Sequence, residues 1–311
     1  MSKSAVFQDP MFHDEAKARE ALEAVRWPDG PVCPHCGSSD PEKLAKLEGQ
    51  SHRPGLYYCN DCKGQFTVTV GTVFERSKVP LTKWWMAAHM MNSNKNGVSA
   101  HEIHRNIGVT YKTAWFMMHR LREAMTDAKP GPMGTLGGAV QSDETYYLNT
   151  SKRAKSYKKG LSQKAAIVAL VDENTKTVRT FHIDKTVTSA KLEKVLFTNV
   201  DRKATLVTDE SKLYQTLGKE FGDHQKLNHS ALEYVSPTGH TTNNVENFFG
   251  VFKRGMRGTY TFCGEQHLKR YLKEFEFRYN NRSGLGVTDG ERTAKALKGI
   301  EGKRLTYRPT H

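Results

Sequence analysis

Two Cys-x-x-Cys pairs limit what this chain can fold into more than any other feature. Cys33-Pro-His-Cys36 and Cys59-Asn-Asp-Cys62 are separated by residues 37–58, an interval of 22 positions. Two such knuckles can offer four thiolates to one tetrahedral ion, which is how a structural zinc site is built. Gly37 follows the first knuckle, where a tight turn calls for positive φ. Tyr57 and Tyr58 precede the second pair, and Gln65-Phe-Thr-Val-Thr-Val70 reads as a strand after it. The pattern predicts a zinc ribbon holding one Zn²⁺ through Cys33, Cys36, Cys59 and Cys62. The competing reading is a pair of disulfides or a redox couple. It is disfavoured because the opening MSKSAVFQDPMFHDEAKARE lacks the apolar core of a secretory signal, pointing to a reducing, cytoplasmic setting. His35 is a bystander beside four sulfurs, and the solitary Cys263 reads as a small core residue.

The charge balance narrows the partner. Lysine and arginine total 47 against 33 acids, a net charge of +14. A surplus of that size makes a polyanion the first partner to consider. No uninterrupted apolar run approaches the roughly 20 residues needed to cross a bilayer, so no membrane partner is expected.

Behind the ribbon, residues 81–95 carry apolar side chains at helical spacing. Ser99 and Glu102 form a capping box that starts a short helix, Gly108 ends it, and Thr110 can cap a third helix over residues 111–126. Ala114, Met117, Leu121 and Met125 mark the buried stripe of that helix, while Trp115 and Phe116 lie outside it. Short helix, glycine turn and second helix is the helix-turn-helix plan. Tyr111, Lys112 and Thr113 then stand at the leading end that makes base contacts. A plain helical bundle is the alternative reading of this stretch.

A glycine- and proline-rich hinge follows, and after it the periodicity changes. Strands are predicted over 139–148, 165–171, 177–183 and 204–208, with helices at 188–198 and 210–220. The run 165–171 is apolar enough for a strand covered on both faces. Residues 151–160 hold five basic residues and no acid, and read as a solvated loop. Three strands in hairpin order, then helix, strand and helix, describe a mixed α/β sheet.

Asp143 falls inside the first of these strands and Asp209 at the carboxyl end of the fourth. A buried carboxylate is costly without a partner. In the helix beginning near Thr241, Val245, Phe248, Phe249 and Phe252 form one apolar stripe. Glu246, Gly250, Lys253 and Arg257 fall at i, i+4, i+7 and i+11 along its flank: one carboxylate, a gap for close backbone approach, and two cations able to grip a phosphate chain. An amphipathic helix with solvated charges is the plainer reading. Residues 144–208 (65 positions) and 210–245 (36 positions) separate the three acids. Carboxylates without histidine-rich spacing favour Mg²⁺ or Mn²⁺, and two such ions suit in-line displacement at phosphorus. Glu144 competes with Asp143, but strand alternation turns it to the opposite face.

Taken together, Ser142-Asp143-Glu144-Thr-Tyr-Tyr, Val207-Thr-Asp209 and His240-Thr-Thr-Asn-Asn-Val-Glu246-Asn-Phe-Phe-Gly-Val-Phe-Lys253 resemble the bacterial insertion-sequence transposases of the DDE type. The closest group, the ISXO2-like one, has an N-terminal zinc ribbon and a helix-turn-helix before a ribonuclease H-like catalytic domain. The resemblance covers roughly residues 25–285.

It implies a catalytic triad of Asp143, Asp209 and Glu246 holding two Mg²⁺ or Mn²⁺ ions, assisted by Lys253. It further implies cutting at the element's ends and joining of 3′-hydroxyl ends to target DNA by two-metal transesterification. Lys253, Arg254 and Arg257 would add DNA contacts. The implied partner is double-stranded DNA, both terminal inverted repeats and target, met as a homodimer or higher homo-oligomer in the bacterial cytoplasm and nucleoid. A DNA-binding regulator or a structure-selective nuclease of the same descent is the alternative.

The expected architecture is multidomain α+β. It comprises an N-terminal helical segment (1–24), zinc ribbon (25–78), helix-turn-helix domain (79–128), linker (129–138), mixed α/β catalytic domain (139–285) and C-terminal tail (286–311).

Overall fold

A computed structural model of the chain describes residues 6–126, 131–148, 164–184, 186–227, 235–236 and 238–306. The basic loop expected at 151–160 lies outside these residues. The chain divides into two compact units, one built from Met1–Asn94, Val98–Thr126 and Gly286–His311, the other from Lys95–Gly97 and Asp127–Leu285.

In the first unit, helix α1 (Glu15–Arg26) starts at Asp14, whose carboxylate accepts from the N–H groups of Ala16 and Lys17 at 2.7 and 3.2 Å. It buries Ala18, Leu22 and Arg26, one face at four-residue spacing. Strands β1 (Leu44–Leu47), β2 (Leu56–Cys59) and β3 (Gln65–Phe66) form an antiparallel sheet in that order. The predicted strand over 65–70 stops at Phe66. The buried Arg26 guanidinium takes the carbonyls of Val68 and Val70 at 2.7 and 2.9 Å, and residues 68–70 turn around it instead of pairing.

Helices α2 (Leu81–Ser93), α3 (Ala100–Ile107) and α4 (Tyr111–Ala124) follow. Pro80 cannot cap α2 with a side chain, so the Glu15 carboxylate accepts from the N–H groups of Leu81 and Thr82. Both hydrogen bonds of the Ser99–Glu102 capping box form, Gly108 closes α3 at φ 63°, and Thr110 caps α4. The predicted stripe Ala114, Met117, Leu121 and Met125 is buried.

In the second unit, β4 (Ala139–Leu148), β5 (Lys164–Asp172) and β6 (Val178–Ile183) pair antiparallel. Helix α5 (Ser189–Asn199) leads to β7 (Thr205–Asp209), which lies parallel to β4. The short α6 (Tyr214–Leu217) leads to β8 (Asp223–Leu227), parallel to β7. The sheet order is β6-β5-β4-β7-β8. Residues 165–171 of β5 are buried throughout, as their unbroken apolar run predicts.

One sheet face packs Val140, Val168 and Leu170 with Leu192, Leu196 and Tyr214. The other carries α7 (Asn243–Gly255) and α8 (Glu265–Asn280), whose Phe252 and Phe275 rings meet edge to face at 5.2 Å. Three expectations shift here. The helix at 210–220 shortens to α6 and a 3-10 turn. The edge strand β8 was not foreseen, because Asp223-His-Gln-Lys-Leu227 has no apolar alternation. The 129–138 linker is anchored at one point: Met133 is buried and bridges Val200, while Thr135, Leu136 and Gly137 stay exposed.

Of the expected C-terminal tail, the described residues 286–306 carry a helix and group with the first unit. That helix, α9 (Asp289–Lys298), opens on a Thr288–Glu291 capping box. Ala296, Leu297 and Ile300 are buried, and Arg292 donates to the carbonyl of Asn92 at 2.6 Å. The ribbon, the helices of residues 79–124 and this segment group in one compact unit.

Candidate active site and metal centre

The two knuckles bring their sulfurs together. Cys33 Sγ lies 3.7 Å from Cys62 Sγ and Cys36 Sγ 3.7 Å from Cys59 Sγ, and all four fall within 4.8 Å of one another. With zinc–sulfur bonds of about 2.3 Å, a tetrahedral site has edges of about 3.8 Å, so the donor set and its spacing fit zinc. Gly37 has the positive φ, 79°, expected of its turn. His35 bonds the Gln65 carbonyl at 3.3 Å and Cys263 is a buried residue of the second unit, as their readings required.

Three elements carry the acids. Along β4, Ser142 and Glu144 turn to the α6 face, where Tyr214 Oη lies 3.0 Å from Ser142 Oγ and donates to Glu144 at 2.8 Å. Gln141 and Asp143 take the opposite face. Gln141 Oε1 accepts from the N–H groups of Asn244 and Val245, both at 3.1 Å, and so ties the first turn of α7 to β4. The stripe Val245, Phe248, Phe249 and Phe252 is buried, which leaves Glu246 exposed at the start of the helix. Its Oε1 accepts from Thr242 Oγ1 at 2.6 Å. Asp209 ends β7, and its carboxylate accepts from the Ser211 N–H at 3.0 Å.

The electrostatics of Asp143 record this convergence. Its carboxyl is pushed up to about 7, first by burial and then by the negative charges of Glu144, Asp209 and Glu246, against the opposing Glu144 N–H at 2.7 Å. Glu144 is also raised, mainly by burial, with Tyr214 donating against the shift. Asp143, Asp209 and Glu246 are not drawn as tightly as the cysteines. Among the described residues they are not within the 4.8 Å mutual spacing of a group around one ion.

The predicted cations lie along the same helix and beyond it. Lys253 is half-buried, two turns from Glu246, with Nζ 6.0 Å from the Phe249 ring centre. Arg254 is exposed, and Arg257 lies in the π-helical turn Met256–Tyr260 that follows α7 rather than on α7 itself. Tyr111 and Lys112 are exposed at the start of α4, with Thr113 half-buried beside them, and the Tyr111 ring stacks on His101 at 4.4 Å.

Sequence reasoning missed Gln141, Thr242, Glu173 and His240. Gln141 Nε2 donates to Glu173, whose other oxygen lies 2.9 Å from His240 Nδ1. Only the position of Gln141, two residues before Asp143 on the same strand face, pointed to it.

A model of the transposase zinc-ribbon domain matches residues 13–65, and a model of the ISXO2-like transposase domain matches residues 135–280. An uncharacterized protein in transposable element ISH50 of Halobacterium salinarum is 26% identical over 282 residues, 86% of this chain and 91% of that one. Among solved structures, the simian T-cell lymphotropic virus intasome in complex with PP2A regulatory subunit B56 gamma matches at 14% identity and a TM-score of 0.30. That match covers 56% of this chain and 63% of that chain, short of two thirds. The HTLV-2 integrase catalytic core domain in complex with magnesium matches at 15% identity and a TM-score of 0.26, over 46% and 86%. Likeness that loose carries no argument about this chain. The two domain matches do carry one: they span the cysteine cluster and all three acid-bearing elements in a single order, and the chain belongs to the ISXO2-like transposases.

Proposed function

We propose that this protein is a DNA transposase that cuts at the ends of an insertion sequence and joins the freed 3′-hydroxyl ends to target DNA. One observation carries the reading: the half-buried Asp143 carboxyl on β4 is raised by burial and then by the charges of its neighbour Glu144 and of Asp209 on β7 and Glu246 on α7. The succession of three hairpin-ordered strands, helix, strand and helix supports the ribonuclease H-like expectation.

Two Mg²⁺ or Mn²⁺ ions, when bound, would supply the Lewis acidity for in-line displacement at phosphorus. Asp143, Asp209 and Glu246 are the residues to hold them. Gln141 keeps Glu246 in position through the α7 terminus. Lys253, Arg254 and Arg257 grip phosphates and set register, and Tyr111, Lys112 and Thr113 on α4 read bases. Water attacks one phosphodiester and releases a 3′-hydroxyl. That hydroxyl then attacks a target phosphodiester, breaking its P–O3′ bond and releasing the target's 3′-hydroxyl, so the number of phosphoester bonds is conserved in the joining step and no ATP is consumed. An element has two ends, which makes a homodimer or larger assembly on DNA the working form.

The test is nicking of supercoiled plasmid carrying the element ends, with Mn²⁺ as the added ion. The wild type is expected to nick, and Asp143→Asn and Asp209→Asn to lose at least a hundredfold in rate. Equal nicking by all three proteins would overturn the reading. Binding without nicking by any of them would leave a regulator.

A further inference from the structure

We propose a second protein-bound metal site, for a divalent transition ion of the Zn²⁺ class, formed by His182, Asp184 and Glu265. His182 is on β6, Asp184 follows that strand directly, and Glu265 opens α8. One donor atom from each lies within 4.8 Å of the other two. All three belong to the second unit.

The plain alternative is a histidine–carboxylate hydrogen bond, and the same unit contains one for comparison. His240 Nδ1 and Glu173 Oε2 stand 2.9 Å apart with the geometry of a hydrogen bond. His182 Nε2 and Glu265 Oε1 stand 3.4 Å apart, and among the described residues the buried Nε2 has no hydrogen-bond partner. That separation is too long for a strong charge-assisted bond. It equals the edge of a coordination tetrahedron, about 3.4 Å for metal–nitrogen and metal–oxygen bonds of about 2.0–2.2 Å. The same relation accounts for the sulfur spacing of the four-cysteine cluster.

Charge points the same way. Two carboxylates meet one imidazole, yet among the described residues neither Asp184 nor Glu265 pairs with a lysine or arginine. The nearby Lys191 is committed to the backbone carbonyls of Asp184 and Thr186, at 2.6 and 3.2 Å. The His182 side chain is 15% exposed and that of Glu265 56%, so the donors form a shallow site with one protected face. One imidazole nitrogen with two carboxylate oxygens suits a borderline ion rather than Mg²⁺. Three protein ligands leave a position for water, so the ion should exchange more readily than zinc held by four cysteines.

The site is separate from the carboxylate pocket. His182 pairs through Ile167 with Thr145, and Asp143 pairs through Ala169 with Thr180. Two strand spacings and two residues along the strand put the two sites roughly 12 Å apart. An ion here would fasten the end of the edge strand β6 to the start of α8.

Zinc content of the full-length protein tests this, measured by elemental analysis after equilibration with excess Zn²⁺ and brief desalting. An Asp143→Asn background removes the carboxylate pocket from the count and makes the result independent of the transposase reading. Two zinc ions per chain are expected. His182→Ala and, separately, Glu265→Gln should each lower the count to one while melting stays cooperative; the second change is at an exposed position and spares the fold. One ion in the parent, or two retained in a folded Glu265→Gln protein, would overturn the proposal.

Discussion

Asp143 sits in an environment that works against its own ionisation. Held up to about 7, it keeps its proton where an unfolded aspartate, titrating near about 4, has lost it. Folding of metal-free protein therefore takes up a proton between those values. Stability falls as pH rises from about 4 to about 7 and stays lower above, a loss bounded at about 4 kcal/mol. Asn cannot titrate, so Asp143→Asn should melt increasingly above the wild type across that window, by a margin that levels off beyond pH 7. Mn²⁺ added at pH 8 should then narrow the gap by raising only the wild type. Thermal melts of zinc-loaded protein across the pH series check both points, and a pH-independent difference would count against the assigned pocket. Alternation along β4 already separates Asp143 from Glu144 in the sequence. Beyond burial and the adjacent Glu144, the charges that raise Asp143 come from β7 and α7, tens of residues away, and no local pattern announces those two.

Helix α7 joins the buried side of its unit to the candidate site, and two of its glycines do opposite jobs. A Cβ at Gly255 would lie 2.5 Å from both the Asn96 carbonyl and the Phe275 ring, so the close approach there requires glycine. At Gly250 nothing among the described residues stands within 4 Å of such a Cβ. Gly255→Ala should therefore destabilise the second unit by about 1–3 kcal/mol. Gly250→Ala should be neutral or stabilise the helix by up to about 1 kcal/mol, while weakening DNA binding if a phosphate chain runs along that flank. Denaturant melts paired with a DNA-binding titration separate the two effects. The apolar stripe of α7 and the capping boxes of α3 and α9 are legible in sequence because their partners lie within a turn of one another. The capping of α2 by Glu15 is not, since the two are brought together only by packing.

The chain as a whole builds its first unit from both of its ends. Leu297, buried on α9, completes a core begun by α1 and α2. Leu297→Ala should cost the first unit about 2–5 kcal/mol while leaving Mn²⁺-dependent melting of the second unchanged, measurable by calorimetry with and without the ion. A single transition shifted as one block would argue that the units do not melt independently. The net charge of +14 made a polyanion the natural partner without locating its track.

The cysteine knuckles, the capped helices and the apolar runs could be read directly, because each depends on spacing within a few residues. The edge strand β8, the return of residues 286–306 to the first unit, and the Gln141 tether that carries Glu246 toward Asp143 required the folded chain. Those features rest on strand register and side-chain reach between segments far apart in sequence, and the hydrophobic effect that drives them together has no direction of its own.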